Sequence, residues 1–148
     1  MDAVVRWTSG GLQCVGSSKS GHGVLIDADL AVHGHDQGAR PVELFLISLC
    51  GCTGMDVVSI LNKMRVAFEQ LEVRAQGQRE PEHPKRFTAI ELNYRIWGPD
   101  IDEEKLKKAI ELSLDRYCPV ANTLKQVVEL THRYEVNPET ITKNGGSR

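Results

Sequence analysis

The chain has 148 residues and a formal net charge of -2 at pH 7. That length suits a single core, able to bury roughly 68–70% of the surface its unfolded form exposes without disulfide staples. With 41% hydrophobic and 26% charged residues, disorder over most of the chain is excluded, and a pI near 6.2 with no Lys/Arg stripe excludes a strong nucleic-acid binder.

Residues 1–7 lack the charged start and apolar run of a signal peptide, so a cytoplasmic location is expected. The four cysteines, Cys14, Cys50, Cys52 and Cys118, are then expected as thiols. No Cys-x-x-Cys pair occurs, so neither a zinc ribbon nor a thioredoxin motif can be argued.

Three short apolar runs, at residues 4–7, 12–15 and 23–27, are separated by Gly/Ser clusters. They predict an antiparallel meander. Residues 28–39 carry Gly34, Gly38, His33 and His35 and read as an irregular loop.

Residues 41–64 predict a long helix. Pro41 suits the first helical position, Glu43 lies where the helix dipole is positive, and Lys63 and Arg65 lie at the opposite end. Residues 44–55 are almost wholly apolar or small, a run too short to span a bilayer before Asp56. A helix apolar on every side is expected to be buried, and no membrane partner is expected.

Residues 68–75 and 87–97 alternate apolar with polar, the period of half-buried antiparallel strands. Asp102 reads as the N-cap of an amphipathic helix over 105–117, with Leu106, Ala109, Ile110 and Leu114 on one face. Pro119 restarts a short helix to about residue 128, and 130–136 reads as a last strand. Residues 1–136 thus form one domain, and 137–148 form a polar tail.

Chemistry centres on the cysteines. Cys52 lies midway along the long helix and can be a small core hydrophobe. Its neighbours Gly51 and Gly54 argue instead for a close approach, because Gly inside a helix costs up to about 1 kcal/mol relative to Ala. Cys50 points roughly 200° away from Cys52, so the two can neither pair nor share a metal, and Cys50 and Cys14 read as packing. Cys118 precedes Pro119, which pushes it out of helical dihedrals and makes it an N-cap. At the positive end of a helix its thiol pKa should fall, so on local physics Cys118 is the better thiolate. His33 and His35 would need two more ligands to hold zinc, and no metal site is expected. His22, His83 and His132 read as surface or hydrogen-bonded residues. There is no phosphate-binding glycine loop and no serine nucleophile elbow.

Two motifs, Pro41-Val42-Glu43-Leu44-Phe45-Leu46-Ile47-Ser48-Leu49-Cys50-Gly51-Cys52 and Tyr117-Cys118-Pro119-Val120-Ala121-Asn122, set in this order of elements, resemble the OsmC/Ohr family of osmotically inducible and organic hydroperoxide resistance proteins. The run from Gly51 to Leu61 is similar to the OsmC-like branch. The resemblance spans about residues 3–136. It implies an α+β, OsmC-like two-layer sandwich, with antiparallel sheets around long buried central helices, in an intertwined homodimer whose active sites lie at the subunit interface.

The implied activity is a thiol-dependent peroxidase for organic, or inorganic, hydroperoxides in oxidative-stress defence. The resemblance places the attacking thiol on Cys52 and the resolving thiol on Cys118, reversing the ranking from local physics. Phe45, Met55, Val57 and Val58 are candidate lining for an organic substituent. No cofactor is implied: neither metal, haem nor flavin. A dithiol reductant must recycle the pair. Family members activate the thiol with an Arg held by a Glu. Here Val42 occupies the Glu position and no Arg lies near residues 12–14, leaving Arg6, Arg40 and Arg116 as substitutes. The rival readings are a non-catalytic OsmC-like module binding an apolar small molecule in the dimer cleft, and a hotdog-type thioesterase, for which no carboxylate sits near Gly51.

Overall fold

The structure, a computed structural model, describes residues 1–139. Two compact units divide within the long helix, after Ile47.

The first unit holds β1 (Ala3–Trp7), β2 (Cys14–Ser18) and β3 (Gly23–Ile26) in an antiparallel meander of order β1-β2-β3. Ser9-Gly10-Gly11 forms the first turn as expected, but Gly16-Ser17-Ser18, expected as the second turn, instead completes β2 by pairing with its neighbours, and the turn falls at Lys19 and Ser20. The loop that follows is organised by Asp27, only 2% exposed, whose carboxylate accepts from the backbone N–H groups of Ala28, His35 and Gln37 at 2.8, 3.2 and 3.2 Å. Burial by itself would raise the Asp27 pKa, but these three donors together hold it below the usual carboxylate value. Gly38 leaves no room for a side chain, since a Cβ there would lie 2.8 Å from Leu25 O.

Helix α1 (Pro41–Lys63) begins on its proline as expected, and Glu43 reaches back to the Arg40 N–H at 2.9 Å, closing the first turn.

The second unit contains the rest of α1, β4 (Gln70–Arg79), β5 (Phe87–Trp97), α2 (Glu103–Leu112), α3 (Pro119–Leu124) and β6 (Glu129–Val136). Strands β4 and β5 pair antiparallel, but β6 runs parallel to β5, with Leu92 opposite His132 and Tyr94 opposite Tyr134. This sheet is therefore mixed where antiparallel pairing was expected throughout. The cause is the α2–α3 crossover, which returns the chain to the start of β5, and parallel neighbours require such a connection.

The core follows the sequence periodicities. Ile90, Leu92, Tyr94 and Ile96 of β5 are fully buried, as are Leu106, Ala109 and Ile110 of α2. Asn93 and Arg95, on the other face of β5, are nearly buried as well, at 8% and 6% exposure. Arg95 pairs with Glu72 and Glu135 and lies 5.2 Å from the Trp97 ring centroid, and Asn93 Nδ2 donates to Glu135 at 2.6 Å. Buried charge is tolerable only with such pairing.

Asp102 caps α2, accepting from the Lys105 N–H at 3.1 Å. The predicted helix over 105–117 is interrupted: residues Ser113–Tyr117 wind as a π-helical segment, closed by the Cys118 N–H donating to Ser113 O at 2.8 Å. Asn137 exchanges hydrogen bonds with Gly98, and Trp97 Nε1 donates to Pro138 O. The tail expected over 137–148 otherwise lies outside the described residues.

The expectation that α1 is buried on every side does not hold within this chain. From Ser48 onward one face is buried, through Leu49, Thr53, Val57, Ile60 and Leu61, while Met55 is 76% exposed. Apolar composition reports what a helix can bury, not which chain covers it.

Candidate active site

Successive residues of an α-helix lie 100° apart, so residues four apart share a face. Cys52 and Asp56 are such a pair, half-buried beside the Leu49–Thr53–Val57 stripe. Cys118 joins them as the N-cap of α3. It takes extended dihedrals (φ -72, ψ 105), as a residue before proline must, and its Sγ accepts from the Ala121 N–H at 3.3 Å. Asn122 pins the turn, its side-chain amide donating to Leu114 O at 3.1 Å and Cys118 O at 2.9 Å.

The outcome is a three-atom cluster. Cys52 Sγ, Cys118 Sγ and one Asp56 carboxylate oxygen all lie within 4.8 Å of one another. A disulfide bond is about 2.05 Å long, so the two sulfurs need a modest approach, not a refolding, to bridge. All four cysteines are free thiols.

Burial decides the character of Cys118. The thiol is fully buried, and desolvation first, then the hydrogen bond with Cys52, push its pKa up to about 11. The Ala121 and Val120 N–H groups pull the other way and lose. The reading of Cys118 as the better thiolate is thereby corrected: its N-cap geometry is present, but loss of water outweighs the helix terminus. Burial also raises the Cys50 thiol, which suits packing.

Behind the sulfurs runs a chain of buried hydroxyls. Ser113 Oγ donates to Asp56 Oδ2 at 3.0 Å, Thr53 Oγ1 lies 2.9 Å from Ser113 Oγ, and Tyr94 OH lies 2.6 Å from Thr53 Oγ1. The direction follows by elimination. With its one proton given to the carboxylate, Ser113 must accept from Thr53, and Thr53 must then accept from Tyr94. Burial raises the Tyr94 pKa strongly, so the phenol keeps the proton the chain needs. Asp56 makes no ion pair among the described residues.

The sequence singled out Cys52 and Cys118, and the structure brings them together. Of the lining candidates, Val57 is fully buried in the core, Val58 is half-buried, Met55 is on the exposed side of α1, and Phe45 belongs to the first unit. Among the basic residues weighed as activators, Arg40 is occupied by Asp36 and Asp29 and by Gly38 O, while Arg6 and Arg116 are exposed. Asp56, Ser113, Thr53 and Tyr94 were missed as site residues. Only the i, i+4 spacing of Cys52 and Asp56 was available to flag any of them.

The family model described as OsmC-like protein matches residues 34–133. Protein YhfA of Escherichia coli K12 is 38% identical over 136 residues, covering 92% of this chain and 98% of that one. A crystal structure from Aquifex aeolicus VF5 superposes with a TM-score of 0.79 at 28% identity, covering 94% of this chain and 97% of that one. An organic hydroperoxide resistance protein from Elizabethkingia anophelis shares the fold, with a TM-score of 0.66 at 20% identity over 91% of this chain and 94% of that one. On the matched residues and the near-complete coverage, the chain belongs to the OsmC-like protein family.

Proposed function

We propose that the protein is a two-cysteine, thiol-dependent hydroperoxide reductase. The observation that carries this reading is the pair of free sulfurs within 4.8 Å, one half-buried and one wholly buried. Such asymmetry suits a division of labour in which the reachable sulfur attacks and the hidden one resolves. Family membership supports the same chemistry, and the name of the Elizabethkingia relative points to organic hydroperoxides.

The Cys52 thiolate attacks the distal oxygen of ROOH. The O–O bond breaks, the alkoxide takes a proton and leaves as ROH, and Cys52 becomes a sulfenic acid. Asp56, within 4.8 Å of the sulfur, is placed to take the thiol proton and return it to the alkoxide. Cys118 sulfur then attacks Cys52 sulfur, water leaves, and a disulfide forms. A dithiol reductant restores both thiols by exchange and is itself oxidised to a disulfide. A reducing cytoplasm suits this cycle, and a homodimer would cover the exposed side of α1.

The test is consumption of cumene hydroperoxide with dithiothreitol as reductant. Wild-type protein turns over. Cys52→Ser does not, and Cys118→Ser accumulates a sulfenic acid that dimedone traps. Saturable binding of an apolar ligand with no peroxide consumption would favour the non-catalytic module instead.

A further inference from the structure

We infer that the reduced protein holds one Zn²⁺ ion on Cys52 Sγ, Cys118 Sγ and a carboxylate oxygen of Asp56. The three ligand atoms, drawn from α1 and from the turn before α3, already lie within 4.8 Å of one another. Tetrahedral zinc with bonds of about 2.3 Å to sulfur and 2.0–2.2 Å to oxygen spaces its ligands somewhat closer than this, so a small contraction around the ion suffices. The donor set fits the metal: two thiolates and one carboxylate suit a borderline-soft divalent ion, and three protein ligands leave a fourth position open.

A supporting shell is also in place. Ser113 Oγ holds Asp56 Oδ2 at 3.0 Å, while the other carboxylate oxygen has no hydrogen-bond partner among the described residues. The Thr53–Ser113–Asp56 hydrogen bonds would fix the carboxylate as outer-shell partners fix the ligands of metal sites. Asp56 forms no ion pair among the described residues, so none of their cations competes for it.

Binding is balanced by proton release. Two thiols and Zn²⁺ yield two zinc–thiolate bonds and two protons, with Asp56 contributing a carboxylate oxygen. The same sulfur atoms cannot bind zinc and bond to each other. Zinc therefore shields the pair, and oxidation to the disulfide expels the ion. The inference stands on the placement of the three ligand atoms and does not require the peroxide chemistry.

The experiment titrates Zn²⁺ into reduced, chelator-stripped full-length protein against a chromophoric chelator. The expected result is one ion per chain, with release of protons. Cys52→Ser and Cys118→Ser should weaken binding by at least about a hundredfold, Asp56→Asn and Ser113→Ala by roughly 10–100-fold, as removal of ligands and outer-shell partners does elsewhere. Cys14→Ser and Cys50→Ser should bind as wild type. Failure of the reduced protein to compete with the chelator overturns the inference, as does undiminished binding in Cys52→Ser or Asp56→Asn. Should a ligand variant fail to fold, Co²⁺ added to the wild type decides. Thiolate-to-cobalt absorption that disappears when the thiols are first oxidised with diamide supports the site, and its absence from the reduced protein overturns it. Because these readouts use no peroxide, loss of the reductase reading would leave this result standing.

Discussion

Ser113 donates to Asp56 at 3.0 Å and, having spent its proton there, must accept from Thr53. One serine thus joins the carboxylate beside the sulfurs to the core phenol of Tyr94. Ser113→Ala removes both bonds and leaves Thr53 and Asp56 short of partners inside the fold. A buried polar group so orphaned costs about 1–3 kcal/mol, so urea denaturation should show a loss of roughly 2–4 kcal/mol with an unchanged m-value. A loss below about 0.5 kcal/mol would mean that water replaces the serine.

Tyr94→Phe removes the terminal donor and leaves the ring in place. Thr53 loses one partner, and stability should fall by about 1–2 kcal/mol. The two substitutions share Thr53, so Tyr94→Phe with Ser113→Ala should cost less than the sum of the single losses. Simple additivity in the double-mutant cycle would break the directional chain derived above.

The Cys118 thiol gives the stability curve an alkaline edge. An ordinary cysteine titrates near 8.5, whereas the folded chain holds Cys118 up to about 11. Between those values the folded state binds the proton that the unfolded state has released, so stability is full below about 8.5 and declines as pH rises toward the folded value, by up to about 1.4 kcal/mol per pH unit. Tyr94, raised by the same burial, adds to the decline only above the ordinary tyrosine range near 10. Cys118→Ala should therefore flatten the curve between pH 8.5 and 10, as read by denaturation midpoints. A slope identical to wild type would show that Cys118 is not the group responsible.

Asp27 sets the opposite edge. Its folded pKa lies below the unfolded value, so its contribution is present above the unfolded carboxyl pKa of about 3.9 and is lost as pH falls through the folded value. Asp27→Asn should lower stability at neutral pH and make the acid limb shallower. An unchanged acid limb would assign the sensitivity to other carboxylates.

Gly51 tests the homodimer. Beyond its chain neighbours and the helix's own backbone, no atom of the described residues lies within 4 Å of a Cβ built there, whereas one at Gly54 meets Val73 Cγ2 at 3.3 Å. In an isolated chain Gly51→Ala should stabilise the helix by up to about 1 kcal/mol. If a second copy packs on that side of α1, the added methyl group weakens dimerisation instead. Sedimentation equilibrium of wild type and Gly51→Ala separates the two, and a monomeric wild type would remove the dimer.

Local patterns made much of the fold legible. Period-two alternation located β4 and β5, Pro41 and Glu43 marked the start of α1, and the Asp102 and Cys118 caps stand where the residue types put them. What escaped depends on partners remote in sequence. Nothing in residues 129–136 says which strand they join, so the parallel pairing of β6 was hidden. The π-helical segment at Ser113–Tyr117 has the composition of an ordinary helix. Cys118 shows the limit most clearly. Its N-cap position was legible and argued for a thiolate, but its complete burial, which reverses that conclusion, is a property of the assembled core. For the same reason Asp56 and Thr53 read as interior positions of one helix, Ser113 as an interior position of another, and Tyr94 as part of a strand.

The most direct measurement treats reduced protein with one equivalent of cumene hydroperoxide, counts the remaining thiols and maps disulfide-linked peptides. Two thiols per chain should be lost and a linkage should join Cys52 to Cys118, with no such linkage in Cys52→Ser. An unchanged thiol count, or an equal loss of thiols in Cys52→Ser, would contradict the two-cysteine mechanism.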